Sequence, residues 1–468
     1  MSMSRRQFGF AACTTLAFSG MARWAHAAYE NVPYHNEIPG YGLLRTDPAG
    51  LLDLPEGFSY QVVSRAGDRM DDGFHAPGNF DGMGCFAAGP GKVALVRNHE
   101  LTLNDAGWAR NAALGTTALQ SRLAAMPHFG RAADGRVFPG GTSTVIVDIA
   151  TGRRESEFLS LAGTSTNCAG GITPWGSWLT CEEAVNTAPD STESHGWVFE
   201  IPSAHKGLVT PQPIKDMGRY RHEAAAVDPK TGIVYLTEDR DDSLFYRFLP
   251  NQAGELAKGG RLQALAWADA DLDTDSRNWY GKDFAPRSAR PVRWLDMRGI
   301  DSPLDDLRVR GRARGAVQFA RGEGIHLAAK PDGTREFYFT CTSGGPLQLG
   351  QIMRYVPSPY EGRKEEADQP GQLQLFVEST DPRVFEYGDN LTVTPQGHLV
   401  VCEDKTGNRM NYLRGIAPSG QVYALGRLSM DTELAGACFS PDGQVLFVNA
   451  YHPGITLAIR GRWDQFLF

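Results

Sequence analysis

The chain has 468 residues, 41% hydrophobic and 21% charged, with a formal net charge of −8. That length is too great for one simple core unless the core is built from repeated units, so several domains or a repeat architecture are expected. The acidic balance carries no basic stripe, which argues against nucleic acid as a partner, and the 53 glycines and 28 prolines read as many turns between short strands.

At the N-terminus, Ser4-Arg5-Arg6-Gln7-Phe8-Gly9-Phe10 sets a twin arginine ahead of an apolar run from Ala11 to Phe18, and Ala25-His26-Ala27 is a small-x-small cleavage site. In this order the three parts read as a Tat export signal over 1–27. The expected partner is the Tat machinery, and the expected destination of a single domain over 28–468 is the periplasm or the medium. Cleavage removes Arg5, Arg6 and Arg23 and no acid, moving the charge to −11. No other apolar run is long enough to span a bilayer, so no membrane anchor is expected after cleavage.

From about residue 85 onward one pattern recurs: a turn with Pro or Gly, an apolar strand, then a polar or acidic end. It occurs at Gly89 to Glu100, Thr173 to Glu183, Asp228 to Arg240, Lys330 to Ser343, Thr394 to Asp404 and Ser440 to Asn449. Each unit is followed, after a variable loop, by another strand, at Ser143 to Ile149, Trp197 to Pro202, Leu244 to Pro250, Ile352 to Pro357, Val422 to Leu425 and Ile455 to Ile459. Six such units predict an all-β chain, a six-bladed β-propeller. Inter-blade insertions containing short helices are expected near 101–140, 251–320 and 358–388. A two-sheet sandwich or two unrelated β domains is the rival that periodic short strands leave open.

Equivalent strands of a propeller end on one face around the axis, so acids at a common register converge from distant points of the sequence. Glu100, Glu182, Glu183, Glu238, Asp239, Glu403 and Asp404 share that register. Clustered carboxylates repel unless cations neutralise them. Many oxygen ligands suit Ca²⁺, and a thiolate among carboxylates suits a transition metal such as iron.

Of the six cysteines outside the signal, Cys181, Cys341 and Cys402 recur inside apolar strands and read as small buried residues, with Cys85 and Cys438 assigned no role. Cys168 stands apart, in the glycine-rich bend Gly163-Thr-Ser-Thr-Asn-Cys-Ala-Gly-Gly171, and is the candidate thiolate ligand. His99 and His222 read as hydrogen-bonding core residues, whereas Glu100 and Glu223, which follow them, are ligand candidates. Arg321-Gly-Glu-Gly324 offers a guanidinium able to grip two phosphate oxygens and a carboxylate, Glu323, able to hold a metal beside them.

Asn98-His-Glu100, Asn167 to Glu183, His222-Glu-Ala-Ala-Ala-Val-Asp-Pro229, Leu236-Thr-Glu-Asp-Arg240, Arg321-Gly-Glu-Gly324, Asp389-Asn-Leu-Thr-Val393, Cys402-Glu-Asp404 and Ala435-Gly-Ala-Cys-Phe-Ser-Pro-Asp-Gly443 together resemble the PhoX-type alkaline phosphatases. The resemblance implies an exported phosphomonoesterase on a propeller, with two ferric ions and calcium at its site. On the matching positions Cys168 and Glu323 would be iron ligands. Glu100, Glu223, Asp389 and Asp404 would complete the metal shell, and Glu182, Glu183, Glu238 and Asp239 are further candidates. Arg321 would hold the substrate phosphate, and a monomer is the expected state. The chain is shorter than better-known members, which places the missing length in insertions between blades. Two other readings remain: a calcium-dependent propeller hydrolase of the lactonase or phosphotriesterase kind, and a non-enzymatic binding propeller stabilised by calcium.

Overall fold

A computed structural model describes residues 34–103, 117–187, 189–281, 283–330, 332–407 and 410–467. The export signal expected over 1–27, and part of the insertion expected over 101–140, lie outside those residues.

The chain is a succession of short antiparallel strands. Strands β1 (Leu44–Arg45), β2 (Leu52–Pro55) and β3 (Ser59–Arg65) come first. The first unit is β4 (Phe80–Ala87), β5 (Lys92–His99), β6 (Gly140–Asp148) and β7 (Arg153–Thr164). The second is β8 (Asn167–Ile172), β9 (Ser177–Glu182) and β10 (Val198–Pro202). The third is β11 (His222–Val227), β12 (Val234–Glu238), β13 (Tyr246–Pro250), β14 (Gly260–Trp267) and β15 (Ala289–Asp296). The fourth is β16 (Gly322–Ala329), β17 (Arg335–Cys341), β18 (Gln351–Val356) and β19 (Gln372–Glu378). The fifth is β20 (Gly388–Val393), β21 (Leu399–Glu403), β22 (Tyr412–Ile416) and β23 (Val422–Leu428), and the last is β24 (Leu434–Phe439), β25 (Val445–Ala450) and β26 (Ile455–Arg460).

Among the described residues the strands form five sheets, because the third and fourth units are joined. Their outer strands β15 and β19 pair from Ala289↔Gln374 to Pro291↔Gln372, giving one nine-stranded sheet. The early strands return to the end of the chain: β3 pairs with β26, and β2 extends the fifth unit beside β23. Pairing β3 with β26 ties the start of the described chain to its last unit, with β3 as the outer strand of that sheet. The first strands adjoin in a ring: β4 beside β8, β8 beside β11, β11 beside β16, β16 beside β20, β20 beside β24, and β24 beside β4. The architecture is all-β and propeller-like. Among the described residues the α-helices are short, α1 (Thr117–Ala124) and α2 (Leu307–Arg312), and both lie between strands of the sheets. No helix among the described residues is long and apolar enough to cross a membrane.

The turn-and-strand pattern of the sequence corresponds to the second strand of each unit (β5, β9, β12, β17, β21, β25), which is apolar and almost wholly buried. The ring-forming first strands are not part of that pattern, since they are rich in small residues. Crowding around the axis requires this. A Cβ on Gly171 would stand 1.9 Å from the Ala225 carbonyl oxygen, and one on Gly436 would stand 2.3 Å from that of Asp81. Cys168, expected in a bend, therefore lies inside β8.

Candidate metal centre

The ladder between first and second strands breaks at the same place in all six units. The breaks fall between Phe80 and Met83, Asn167 and Gly170, His222 and Ala225, Gly322 and Ile325, Gly388 and Leu391, and Ala435 and Cys438. A bulge of this kind re-aims a side chain out of strict alternation. The residue one step into each bulge is Asp81, Cys168, Glu223, Glu323, Asp389 and Gly436. Five of the six carry a metal-ligating group, and the sixth is the glycine pressed against Asp81.

These residues assemble into three overlapping groups: Asp81, Glu100 and Cys168; Cys168, Glu183 and Glu223; and Glu223, Glu323 and Asp389. Within each group one ligand atom per residue lies within 4.8 Å of the others. The Cys168 Sγ donates to Asp81 Oδ2 at 3.6 Å.

Glu100 and Glu183 belong to a second ring. The residue that follows the second strand of each unit is Glu100, Glu183, Asp239, Thr342, Asp404 or Tyr451. Its amide donates to the carbonyl of the residue just before the first strand: Asn79 (3.0 Å), Thr166 (2.8 Å), Arg221 (3.3 Å), Arg321 (3.0 Å), Tyr387 (2.9 Å) and Glu433 (3.2 Å), in the same order. Asn79, Thr166, Arg321 and Tyr387 hold left-handed φ values of 48–54°. Non-glycine residues persist there only when the surroundings fix them.

Of the sequence candidates, Glu100, Cys168, Glu183, Glu223, Glu323 and Asp389 come together. Asp404 is an electrostatic neighbour of Glu100, Asp389 and Glu433. Asp239 is taken by Arg321, whose Nε and Nη2 lie 2.8 and 3.2 Å from its two oxygens, while the same Nη2 reaches Glu323 Oε1 at 2.6 Å. Glu182 and Glu238 are not brought to the cluster, because as last residues of β9 and β12 they point into their own sheets. Glu182 accepts from the amides of Ser165, Gly196 and Trp197 and bonds His195 Nδ1 at 2.6 Å. Glu238 accepts from the Tyr246 hydroxyl and the Leu244 amide. Glu403 likewise accepts from Arg414 Nε at 2.7 Å. His99 and His222 bond Ser143 Oγ and the Gly218 carbonyl, as expected of core histidines.

Sequence reasoning missed Asp81, Glu433 and Tyr451. Asp81 precedes the point where the repeat becomes visible, and only its place one residue into a bulge marks it. Tyr451 and Glu433 hold the rim positions of the last unit, where the hydroxyl of Tyr451 accepts from Asn79 Nδ2 at 3.0 Å.

Burial first, then mutual repulsion, pushes Asp81, Glu183, Glu223 and Glu323 well above the usual carboxylate range. The same causes push Asp389 up to about 8, and burial beside Asp81 pushes the Cys168 thiol up. Glu223 is fully buried, and neither of its carboxylate oxygens has a hydrogen-bond partner. A buried carboxylate is not left so without a reason, since each unsatisfied group costs about 1–3 kcal/mol. A cation held by these groups would satisfy those orphaned oxygens and reverse the pKa logic. The donor set of one sulfur and many oxygens fits a soft-tolerant transition metal with hard cations beside it.

A cleft of about 810 Å³ opens beside the cluster, lined by Glu100, Thr102, Ser165, Thr166, Glu183 and Arg221 among others. On the other side, the residues next after the bulge ligands (Gly82, Ala169, Ala224, Gly324, Asn390) begin an axial cavity of about 340 Å³, whose walls include Ile172, Trp178 and Phe439. The cluster thus lies between a polar cleft and an apolar channel.

The family described as "Alkaline phosphatase PhoX" matches residues 39–454. Among solved structures, PhoX of Pseudomonas fluorescens in complex with vanadate, a transition state analogue, shares the fold. Its TM-score is 0.62 at 19% identity, covering 93% of this chain and 98% of that one. A gluconolactonase of Xanthomonas campestris, XC5397, aligns over 91% of this chain and 100% of its own at 12% identity, with a TM-score of 0.39. No curated protein sequence matches.

Proposed function

The chain belongs to the alkaline phosphatase PhoX family, a family of phosphomonoester hydrolases, and we propose that the bulge-and-rim cluster is the metal centre of that reaction, holding two ferric ions and calcium. The observation that carries this is Glu223: buried, with both oxygens orphaned, and shared between the group containing Cys168 and the group containing Glu323 and Asp389. Cys168 and Glu323 hold iron in this reading, and Glu100, Glu223, Asp389 and Asp404 complete the shell together with Asp81 and Glu183.

When bound, the ions supply Lewis-acid neutralisation of the phosphoryl group and acidify the attacking water. Arg321 contributes a guanidinium fixed by Asp239 and Glu323, which also keep it firmly charged. It grips the phosphoryl oxygens with its remaining donors and stabilises charge that develops during in-line displacement. Fixing Arg321 in advance means that little reorganisation is needed at the moment of reaction. The cleft beside Glu100 and Glu183 receives the leaving group.

Two further readings accompany this one. The nine-stranded sheet is read as two blades joined at their outer edges through β15 and β19, which makes a six-bladed propeller; the ring of six first strands supports that count. The twin-arginine motif supports Tat export of a single domain over 28–468 to the periplasm or the medium, with small phosphomonoesters as substrates and a monomer as the working state.

Elemental analysis and a phosphatase assay on one purified sample test the proposal. Iron and calcium should copurify, and activity should fall as they are removed. Protein that retains both metals yet hydrolyses no ester in a broad phosphomonoester panel would sink it. A calcium-only lactonase-type centre has no use for Cys168 and would be colourless, whereas a ferric thiolate centre absorbs visible light.

A further inference from the structure

The two rings expose a relationship between arginines. Arg221 and Arg321 occupy the same rim position, immediately before the first strands of the third and fourth units. Their carbonyls accept from the rim residues of their own units, Asp239 and Thr342. Their side chains also repeat one another. Arg321 pairs with Asp239, the rim acid of the unit before it, at 2.8 Å, and Arg221 pairs with Glu183, the rim acid of the unit before that, at 3.4 Å.

The two differ in how far they are satisfied. Arg321 is saturated on one side by two carboxylates, Asp239 and Glu323. Among the described residues Arg221 has a single long contact, its Nε is buried without a hydrogen-bond partner, and its side chain is 39% exposed. Arg221 lines the cleft beside the cluster, and Arg321 is not among the described residues that line it. A guanidinium that, among the described residues, meets one acid at the long end of hydrogen-bond range and has donors to spare is suited to take an anion that arrives from outside.

We propose that Arg221 is a specificity-determining residue that binds a second phosphate group, carried by the leaving group of the substrate. The assignment rests on the phosphatase reading above. With the reacting phosphoryl group at Arg321 and the cluster, the body of the ester extends into the cleft, and Arg221 is one unit further around the ring on that side. A bisphosphate thereby engages both equivalent arginines, one at each phosphate, whereas a monophosphate engages one.

The test compares fructose 1,6-bisphosphate with fructose 6-phosphate on the metal-loaded enzyme, in wild type, Arg221→Ala and Arg221→Lys. Wild type should show the lower KM for the bisphosphate. Arg221→Ala should raise that KM by about tenfold or more, the loss of one charge-assisted hydrogen bond, and leave KM for the monophosphate within about twofold. Arg221→Lys, which keeps the charge and loses the fork, should fall between, with kcat and iron content of both variants near wild type. Equal weakening of both substrates, or loss of iron, would overturn the assignment and make Arg221 a positioning residue for Glu183. Unchanged KM values would overturn it as well. Wild type that hydrolyses neither sugar phosphate would instead remove the phosphatase reading on which the assignment stands.

Discussion

Glu182 and Glu183 are consecutive, and their carboxylates lie on opposite sides of one strand end. Glu182 points into its sheet, where three backbone amides and His195 satisfy it, and Glu183 points to the axis, where its oxygen lies within 4.8 Å of ligand atoms of Cys168 and Glu223. The pleat makes this unavoidable, because neighbouring side chains of a strand leave by opposite faces. The pairs Glu238–Asp239 and Glu403–Asp404 repeat the division.

The two glutamates should therefore fail in different ways when neutralised. Glu182→Gln should cost about 2–3 kcal/mol of stability, since an amide nitrogen then faces amide donors and His195 loses its partner. Its folded fraction should keep its metal. Glu183→Gln should lose metal and most activity, and should melt near the temperature of chelated wild type, with no further loss on chelation. Differential scanning calorimetry with elemental analysis separates the two, and a Glu183 variant with full metal content would contradict the assignment.

The equivalence of the six bulges makes Asp81 a ligand candidate on the same footing as Cys168. Asp81→Asn and Cys168→Ala should each lower the iron content to less than about half, with activity falling in proportion. Cys402→Ala should leave iron unchanged, as Cys402 is packed among Val400, Leu413 and Leu425. Equal iron in wild type and the Cys168 variant would refute the thiolate role.

How far the sequence reveals this arrangement depends on the strand. The second strands are apolar and preceded by turns such as Thr394-Pro-Gln-Gly397, so they stand out, and with them the doublets at their ends. The first strands, such as Asn167-Cys-Ala-Gly-Gly-Ile172, read as loops because Gly171 and its equivalents must be small where backbones meet at the axis. Asp81 is hidden in the sequence for that reason, and the glycines around Cys168 give its strand the look of a bend. Glu223, Glu323 and Asp389 also lie on first strands, and none of them shows by periodicity: Glu223 stands out beside His222, Glu323 in Arg321-Gly-Glu-Gly324, and Asp389 through the family resemblance. Which member of each doublet faces the axis could not be read either, since a shift of one residue in the strand end reverses the answer.

Removing the metal should leave several buried acids and a thiol packed against each other with no counter-charge. Chelation of the purified protein should lower its melting temperature by more than about 5 °C, as expected for loss of a tightly bound ligand. Restoring iron and calcium should recover it. A melting temperature indifferent to chelation, in a sample shown to be metal-free, would mean that the cluster is not held together by cations.

A pH effect is expected far from the cluster, at Asp47. Its carboxylate accepts from the amides of Ala49, Leu51 and Leu52 and from the Tyr60 hydroxyl, fixing the turn that leads into β2. Burial pushes its pKa up, but these bonds outweigh it and hold the group at about 2. Because the folded value is below the unfolded one, the stabilisation is present in full above about pH 5 and fades as pH falls toward 2. Asp47→Asn should thus melt about 2 °C below wild type at pH 7, a modest shift because the site is solvent-screened. By pH 3 the gap should be about half as large. Matched melting curves from pH 7 to pH 3 measure it, and a gap that stays constant across that range would show that the bonds to Asp47 do not depend on its charge.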